Sequence, residues 1–228
     1  MYVPKHFAAT DDQILGLLTS PIAADLITPT ADGLQATLLP WLHLPDPGGG
    51  PGRLQGHLAR NNPHWRAAPT GESLVILKGT DAYISPSWYA SKAEHGRAVP
   101  TWNYLICHVH GDLVVHDDVG WLDDLVRRLT DHHESYHPGG PEPWSVDDAP
   151  EKYVNGQLRA IVGVELIISR IEAKAKLSQN RPEADVLGVI DGLTARGDVS
   201  AAEAVRRTRP PNPAAEPVGK NGSGELKD

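Results

Sequence analysis

Apolar and polar positions alternate with two periods along this 228-residue chain, and the periods divide it into elements. Thr10 and Asp11 precede the run QILGLL, a capping signature that predicts a helix from Asp11 to Ser20, ended by Pro21. The runs IAADLIT (22–28) and GLQATLLPWLHL (33–44) are β-rich and flank a turn with Pro29, Asp32 and Gly33. PDPGGGPG (45–52) predicts a hairpin tip, and RLQGHL (53–58) returns as a strand. Residues 59–67 read as a short helix or turn. SLVILKG (73–79) and a segment near Tyr83 read as strands, and TWNYLICHVHG with DLVVHD predicts a hairpin around Gly111 and Asp112.

The period then changes. Trp121, Leu122, Leu125, Val126 and Leu129 fall at i, i+3, i+4 spacing and predict a helix over 119–134. Residues 150–160 read as a second helix, and 161–174 as a long strand rich in β-branched residues. Further helices are expected at 182–195 and 199–207. From Arg209 onward proline and glycine replace any apolar pattern, which predicts a folded domain over 1–208 and a disordered tail over 209–228. The expected class is α+β: a small antiparallel β-barrel flanked by helices.

Composition narrows the function. Hydrophobic content of 40% with 22% charged residues is ordinary for a soluble globular protein. A net charge of −8 argues against general nucleic-acid binding, because phosphate recognition wants clustered cations. One cysteine, Cys107, excludes a disulfide framework, and its apolar setting predicts a buried, inert thiol. No segment approaches the roughly 20 apolar residues of a membrane span, and no signal region opens the chain, so a cytoplasmic location is expected.

Residues 81–111 carry the densest chemistry. Tyr83, Trp88, Tyr89, Trp102 and Tyr104 are interleaved there with hydroxyls, amides and cations, a mixture that suits stacking against a planar, anionic ligand. In GHLARNNPHW a strand delivers His57 and a turn delivers Arg60 and His64. Either imidazole suits a metal or haem iron, or simply fixes the loop, and Arg60 suits a phosphate or carboxylate. KAKLSQNR (174–181) suits an anionic cofactor edge or a solvated basic loop. His133-Glu134-Ser135-Tyr136-His137 matches HExxH, but Pro138 stops the helix there and no convincing third ligand follows, although Glu142, Glu151 and Glu165 lie downstream, so a solvated helix end is the better account. His108, His110 and His116 share strand parity and predict a sheet face showing several imidazoles. No GxGxxG or P-loop follows a strand.

MYVPKHF, GHLARNNPHW, DAYISPSWYASK, VPTWNY with HVHG, PWSVDDAP and IVGVELIISRIEAKAKLSQNRPEADVLGV together resemble the PaiB-type proteins, described as FMN-binding negative transcriptional regulators. The resemblance spans roughly residues 1–195 and implies an FMN-binding split β-barrel, a homodimer, and a cofactor between subunits. Within that group the chain resembles the haem-dependent L-piperazate synthases. Where regulators read EGKWKLSQNR it has Glu172-Ala173-Lys174-Ala175-Lys176, without the tryptophan. Where they read IFQGP it has Ile76-Leu77-Lys78-Gly79-Thr80, and His64 stands where regulators often carry glutamine.

The leading expectation is therefore haem b, with FMN as the alternative, and a small-molecule substrate, side-chain N-hydroxylated L-ornithine, cyclised to L-piperazic acid. The alternatives are an FMN-binding regulator and a flavin or haem oxidoreductase of the same barrel. The resemblance to the synthases implies His64, then His57, as axial ligand. It implies Arg60, Lys176, Ser178 and Gln179 on propionates or phosphate, and Trp88, Tyr89 and Trp102 as walls. Lys78, Ser85 and Ser87 are implied for the substrate carboxylate or proton transfer.

Overall fold

The computed structural model of the chain describes residues 1–136 and 142–209. Seven strands form one antiparallel sheet: β1 (Ala23–Thr30), β2 (Gly33–Pro40), β3 (Leu42–Leu44), β4 (Arg53–Ala59), β5 (Ser73–Ile84), β6 (Thr101–His116) and β7 (Ile161–Lys176). Among the described residues there are six α-helices: α1 (Asp11–Leu18), α2 (Ser91–His95), α3 (Val119–Tyr136), α4 (Glu151–Leu158), α5 (Glu183–Arg196) and α6 (Val199–Arg207). The expected α+β class is observed. At α1 Thr10 accepts from the Gln13 amide and Gln13 reaches back to the Thr10 amide, closing the capping box read from the sequence.

The strand order is β2-β1-β5-β6-β7-β4-β3. Strands β2 and β3 are consecutive in the chain yet occupy opposite edges, and a single residue, Trp41, joins them. That link forces the sheet to curl on itself, which makes it a barrel. Trp41 is 2% exposed and donates its indole N–H to the Ala24 carbonyl at 3.3 Å. Gly56 keeps the closure tight, since a Cβ there would lie 2.8 Å from the Pro40 carbonyl oxygen. The β-rich run 33–44 is therefore two strands. Alternating positions fill the barrel: Leu26, Leu54, Val75, Leu77, Cys107, Val109, Val164 and Leu166 share one core. A second core packs α5 and α6 on the ends of β5 and β7 through Ile84, Leu177, Val189, Leu193, Ala202 and Val205.

The hairpin expected at Gly111-Asp112 is absent. Residues 101–116 form one strand, β6, with a bulge in its pairing with β7 between His110 and Gly111. Gly111 has no Cβ because one would overlap the Ile167 carbonyl. The glycine marks a close backbone approach, not a turn. Likewise 73–79 and the Tyr83 segment are one strand, β5, with an irregularity between Lys78 and Asp81. No helix among the described residues is long and apolar enough to cross a membrane. Residues 210–228 of the expected tail, and His137 of the HExxH motif, lie outside the described residues. Glu134 of that motif accepts the Trp144 amide at 3.0 Å.

Candidate cofactor site

The end of β7 and the start of β6 enclose a cavity of about 110 Å³, lined by Tyr89, Thr101, Asn103, Lys176, Ser178 and Arg181 among others. The sheet register sets Tyr104 opposite Lys176, so the opening of one strand meets the exit of the other. Ser178 then turns the chain with φ 68°, a left-handed conformation that a non-glycine residue adopts at a cost of roughly 1 kcal/mol or more. Gln179 holds that turn. Its amide accepts from the Leu177 N–H at 2.7 Å and donates to the Ala175 carbonyl at 2.6 Å. Gln179 is thus a brace for the cradle, and its polar atoms are taken.

Charge in the cradle has one sign. Lys176 donates to the Thr101 hydroxyl and to the Trp102 carbonyl, and Arg181 sits 4.4 Å from the Tyr89 ring centroid. No carboxylate lines the cavity. Burial, then the neighbouring Lys174 and Arg181, hold the Lys176 ammonium below the usual lysine range. Asn103 is 2% exposed, donates to Ser178 Oγ at 2.9 Å, and leaves its Oδ1 without a partner. An amide flip turns that orphan acceptor into a donor, since the Ser178 hydroxyl serves either end. The buried Tyr89 hydroxyl lies beside Arg181, and burial raises its pKa. Two cations, an adaptable amide and three hydroxyls fit a phosphate or carboxylate. Among these, Thr101, Asn103 and Arg181 were visible in the sequence only as members of the two polar runs.

The imidazoles lie elsewhere. His64, 2% exposed, sits in the turn after β4, where its Nδ1 lies 2.9 Å from Thr37 Oγ1 on β2. Asn62 fixes the same turn by accepting the His64 N–H at 2.9 Å and donating to Thr37 at 3.2 Å. His64 Nε2 is buried with no hydrogen-bond partner, and burial lowers the ring's pKa, so it is neutral. His57 points from β4 into a second cavity of about 230 Å³ beneath α3 and α4, with Val126, Trp144, Tyr153 and Leu158. Its Nδ1 is likewise unpartnered, and burial lowers its pKa. Ala59 pairs with Ile161 at the start of β7, whereas Lys176 ends it, roughly 50 Å of extended chain away. The chain thus has His57 and the anion cradle toward opposite ends of β7.

Other expected site residues are occupied or scattered. Arg60 makes a bidentate pair with Asp117 and also donates to the carbonyls of Arg159 at 2.7 Å and Ile161 at 3.0 Å, so its guanidinium locks the barrel end. Lys78 projects from β5, 3.8 Å from Asp25 and 64% exposed. Ser85 and Ser87 bond each other at 2.7 Å beyond the end of the same strand. Trp88 packs against α5, where a Cβ at Gly188 or Gly192 would overlap it, and Arg196 covers its ring at 5.1 Å. Trp102 stands half-exposed, donating to Asp81 at 3.2 Å with Tyr83 edge-on at 6.2 Å.

The family model described as "Putative FMN-binding domain" matches residues 1–170. The chain belongs to this FMN-binding domain family. It is 32% identical over 197 residues to the Protease synthase and sporulation protein PAI 2 of Bacillus subtilis, spanning 85% of this chain and 89% of that one. An Aspergillus fumigatus protein is 31% identical over 224 residues, spanning 82% and 84% of the two chains. The flavocytochrome Anf3 from Azotobacter vinelandii superposes with a TM-score of 0.52 at 13% identity, covering 76% of this chain and 72% of that one, a likeness of fold alone. The split barrel expected from the sequence is thereby the fold of the chain.

Proposed function

We propose that this member of the FMN-binding domain family is a haem-dependent piperazate synthase acting as a homodimer. His64 carries the reading. A neutral imidazole with one nitrogen fixed by a hydroxyl and the other buried without a partner is the arrangement of an iron ligand with its orienting hydrogen bond. His57 offers a second unpartnered nitrogen. The Lys176–Arg181 cradle suits the carboxylates of a haem edge. Because His57 and the cradle sit toward opposite ends of β7, a cofactor shared between them would draw them from two protomers.

The reaction closes a bond between the two nitrogens of side-chain N-hydroxylated L-ornithine. The N–O bond breaks as the α-amine nitrogen bonds the side-chain nitrogen, and the hydroxyl leaves as water, keeping its own hydrogen and taking one proton from the α-amine. Bound haem iron would supply Lewis acidity toward the hydroxylamine. The chain's part is to fold a flexible substrate so that its nitrogens meet, an entropic contribution. Lys78, outside the cradle and paired only loosely with Asp25, is suited to hold the substrate carboxylate, while Ser85 and Ser87, beyond the end of the same strand, are too far from it to share that contact and offer hydroxyls for proton transfer instead.

A second reading keeps the cradle and changes the ligand. Lys176, Arg181, Ser178 and Asn103 suit the phosphate of FMN equally well, which favours a flavin-binding regulator of the PaiB type. Spectra of the purified chain after incubation with each cofactor separate the two. Haem binding gives a Soret band that His64→Ala shifts or abolishes, and incubation with hydroxylated ornithine then yields the cyclic product. Stoichiometric FMN retention without a Soret band overturns the synthase reading.

A further inference from the structure

We propose that His108, His110 and Glu172 form a binding site for a divalent transition-metal ion of the zinc class on the outer face of the sheet. His108 and His110 are alternate residues of β6 and point to the same face, away from the core residues Cys107 and Val109. The β6–β7 register sets Glu172 directly opposite His108. One donor atom from each of the three lies within 4.8 Å of the others, and His110 Nε2 is 3.8 Å from Glu172 Oε2. Donors around tetrahedral zinc stand about 3.3 Å apart, so small side-chain rotations bring these three into range. Two imidazoles and a carboxylate leave a fourth position for water, and two nitrogens with one oxygen favour zinc-class ions over calcium or magnesium.

A further observation points to a ligand. His110 Nε2 is buried and makes no hydrogen bond, an orphan that a metal bond would satisfy.

The charges around the cluster set its selectivity. Arg170 donates to His110 Nδ1 at 2.9 Å and also pairs with Glu72, while the Met1 amino group pairs with Glu172. With Arg170 on Nδ1, the neutral ring carries its proton on Nε2. Metal binding at Nε2 moves that proton to Nδ1, and Arg170 retreats to Glu72, the contact it already has. Arg170 is therefore a built-in competitor for the metal. Glu172 precedes Lys176 by four residues on β7, roughly 13 Å of extended strand, so the cluster shares no residue with the cradle and does not depend on the nature of the cofactor.

The test is a titration of chelator-treated protein with Zn²⁺ by calorimetry, and with Co²⁺ by visible absorption. One ion per chain is expected, with Co²⁺ d–d bands bleached by equimolar Zn²⁺. His108→Ala and His110→Ala each weaken binding at least tenfold, and the near-isosteric Glu172→Gln does so without altering the metal-free melting curve. Arg170→Gln strengthens binding several-fold, because its amide oxygen accepts from Nδ1–H where the guanidinium opposed it. No saturable equimolar binding overturns the proposal. So does binding that survives all three ligand substitutions but is lost in His43→Ala or His132→Ala.

Discussion

Thr37 Oγ1 and His64 Nδ1 lie 2.9 Å apart, joining β2 to the turn that follows β4. The hydroxyl oxygen has two lone pairs, so it accepts from both Asn62 and the His64 Nδ1–H. In that tautomer Nε2 is a bare donor, the form an iron ligand requires. Thr37→Val removes the acceptor while keeping the shape. Haem affinity is expected to fall by roughly 10- to 100-fold, as for other partners of ligating imidazoles. Thr37→Ser restores it. A Soret titration of the three proteins reads the effect, and equal affinities would show that the hydroxyl does not orient a ligand.

Lys176 gives the cradle a pH dependence. Burial and its cationic neighbours lower its pKa, so the folded chain disfavours the charged form. An anion in the cradle reverses this, and anion binding therefore takes up a proton wherever Lys176 is partly neutral. Affinity for the anionic cofactor is fully present below the lowered pKa and declines as pH rises through it, before the ordinary lysine range is reached. Calorimetry across roughly pH 7–10 should show that decline, and Lys176→Met should bind weakly with no slope.

The sequence displays the strands because alternation is local, and Ala23–Thr30 and the first half of Ser73–Ile84 follow it closely. It hides the closure, because the jump from one sheet edge to the other occupies one residue, Trp41, inside an unbroken apolar run. Gly111 reads as a turn because a glycine demanded by a neighbouring carbonyl looks the same as one demanded by φ. At the site, residue types were legible and partners were not. Arg60 has the chemistry of a phosphate ligand, but Asp117, 57 residues away in sequence, takes it. Trp88 has the chemistry of a pocket wall, but the glycines of α5 admit it. Asn103 and Arg181 gain their meaning only when β6 and β7 pair end to end.

Cys107 is expected to be silent. It is fully buried in the barrel core, and burial pushes its thiol up to about 12. The thiolate is the reactive form, so native protein at about pH 8 should leave aromatic disulfide reagents unreduced while unfolded protein reacts with one equivalent. Fast reaction of the native chain would mean that the core opens there.

Gly163 supports the helical layer through what it lacks. A Cβ at this position would overlap Trp121 Cζ3, because the indole of α3 lies flat on the β7 backbone. The Trp121 ring also stacks on His116, the cross-strand partner of Gly163, with centroids 4.1 Å apart and planes 10° from parallel. His116 Nε2 lies 3.1 Å from Glu165 Oε2, and the buried Glu165 also accepts from Gln55 at 2.7 Å. A methyl group on Gly163 cannot be absorbed by the backbone beneath it, so Trp121 must shift and the imidazole stack opens. Gly163→Ala is expected to cost about 1–3 kcal/mol, with a fall in Tm of about 2–4 °C for each kcal/mol. Trp121→Leu alone also destabilises by losing the stack. In the double variant the smaller side chain makes room for the methyl, so the combined loss falls short of the sum of the two single losses. Strict additivity in denaturant melts of the four proteins would show that the glycine and the indole do not meet.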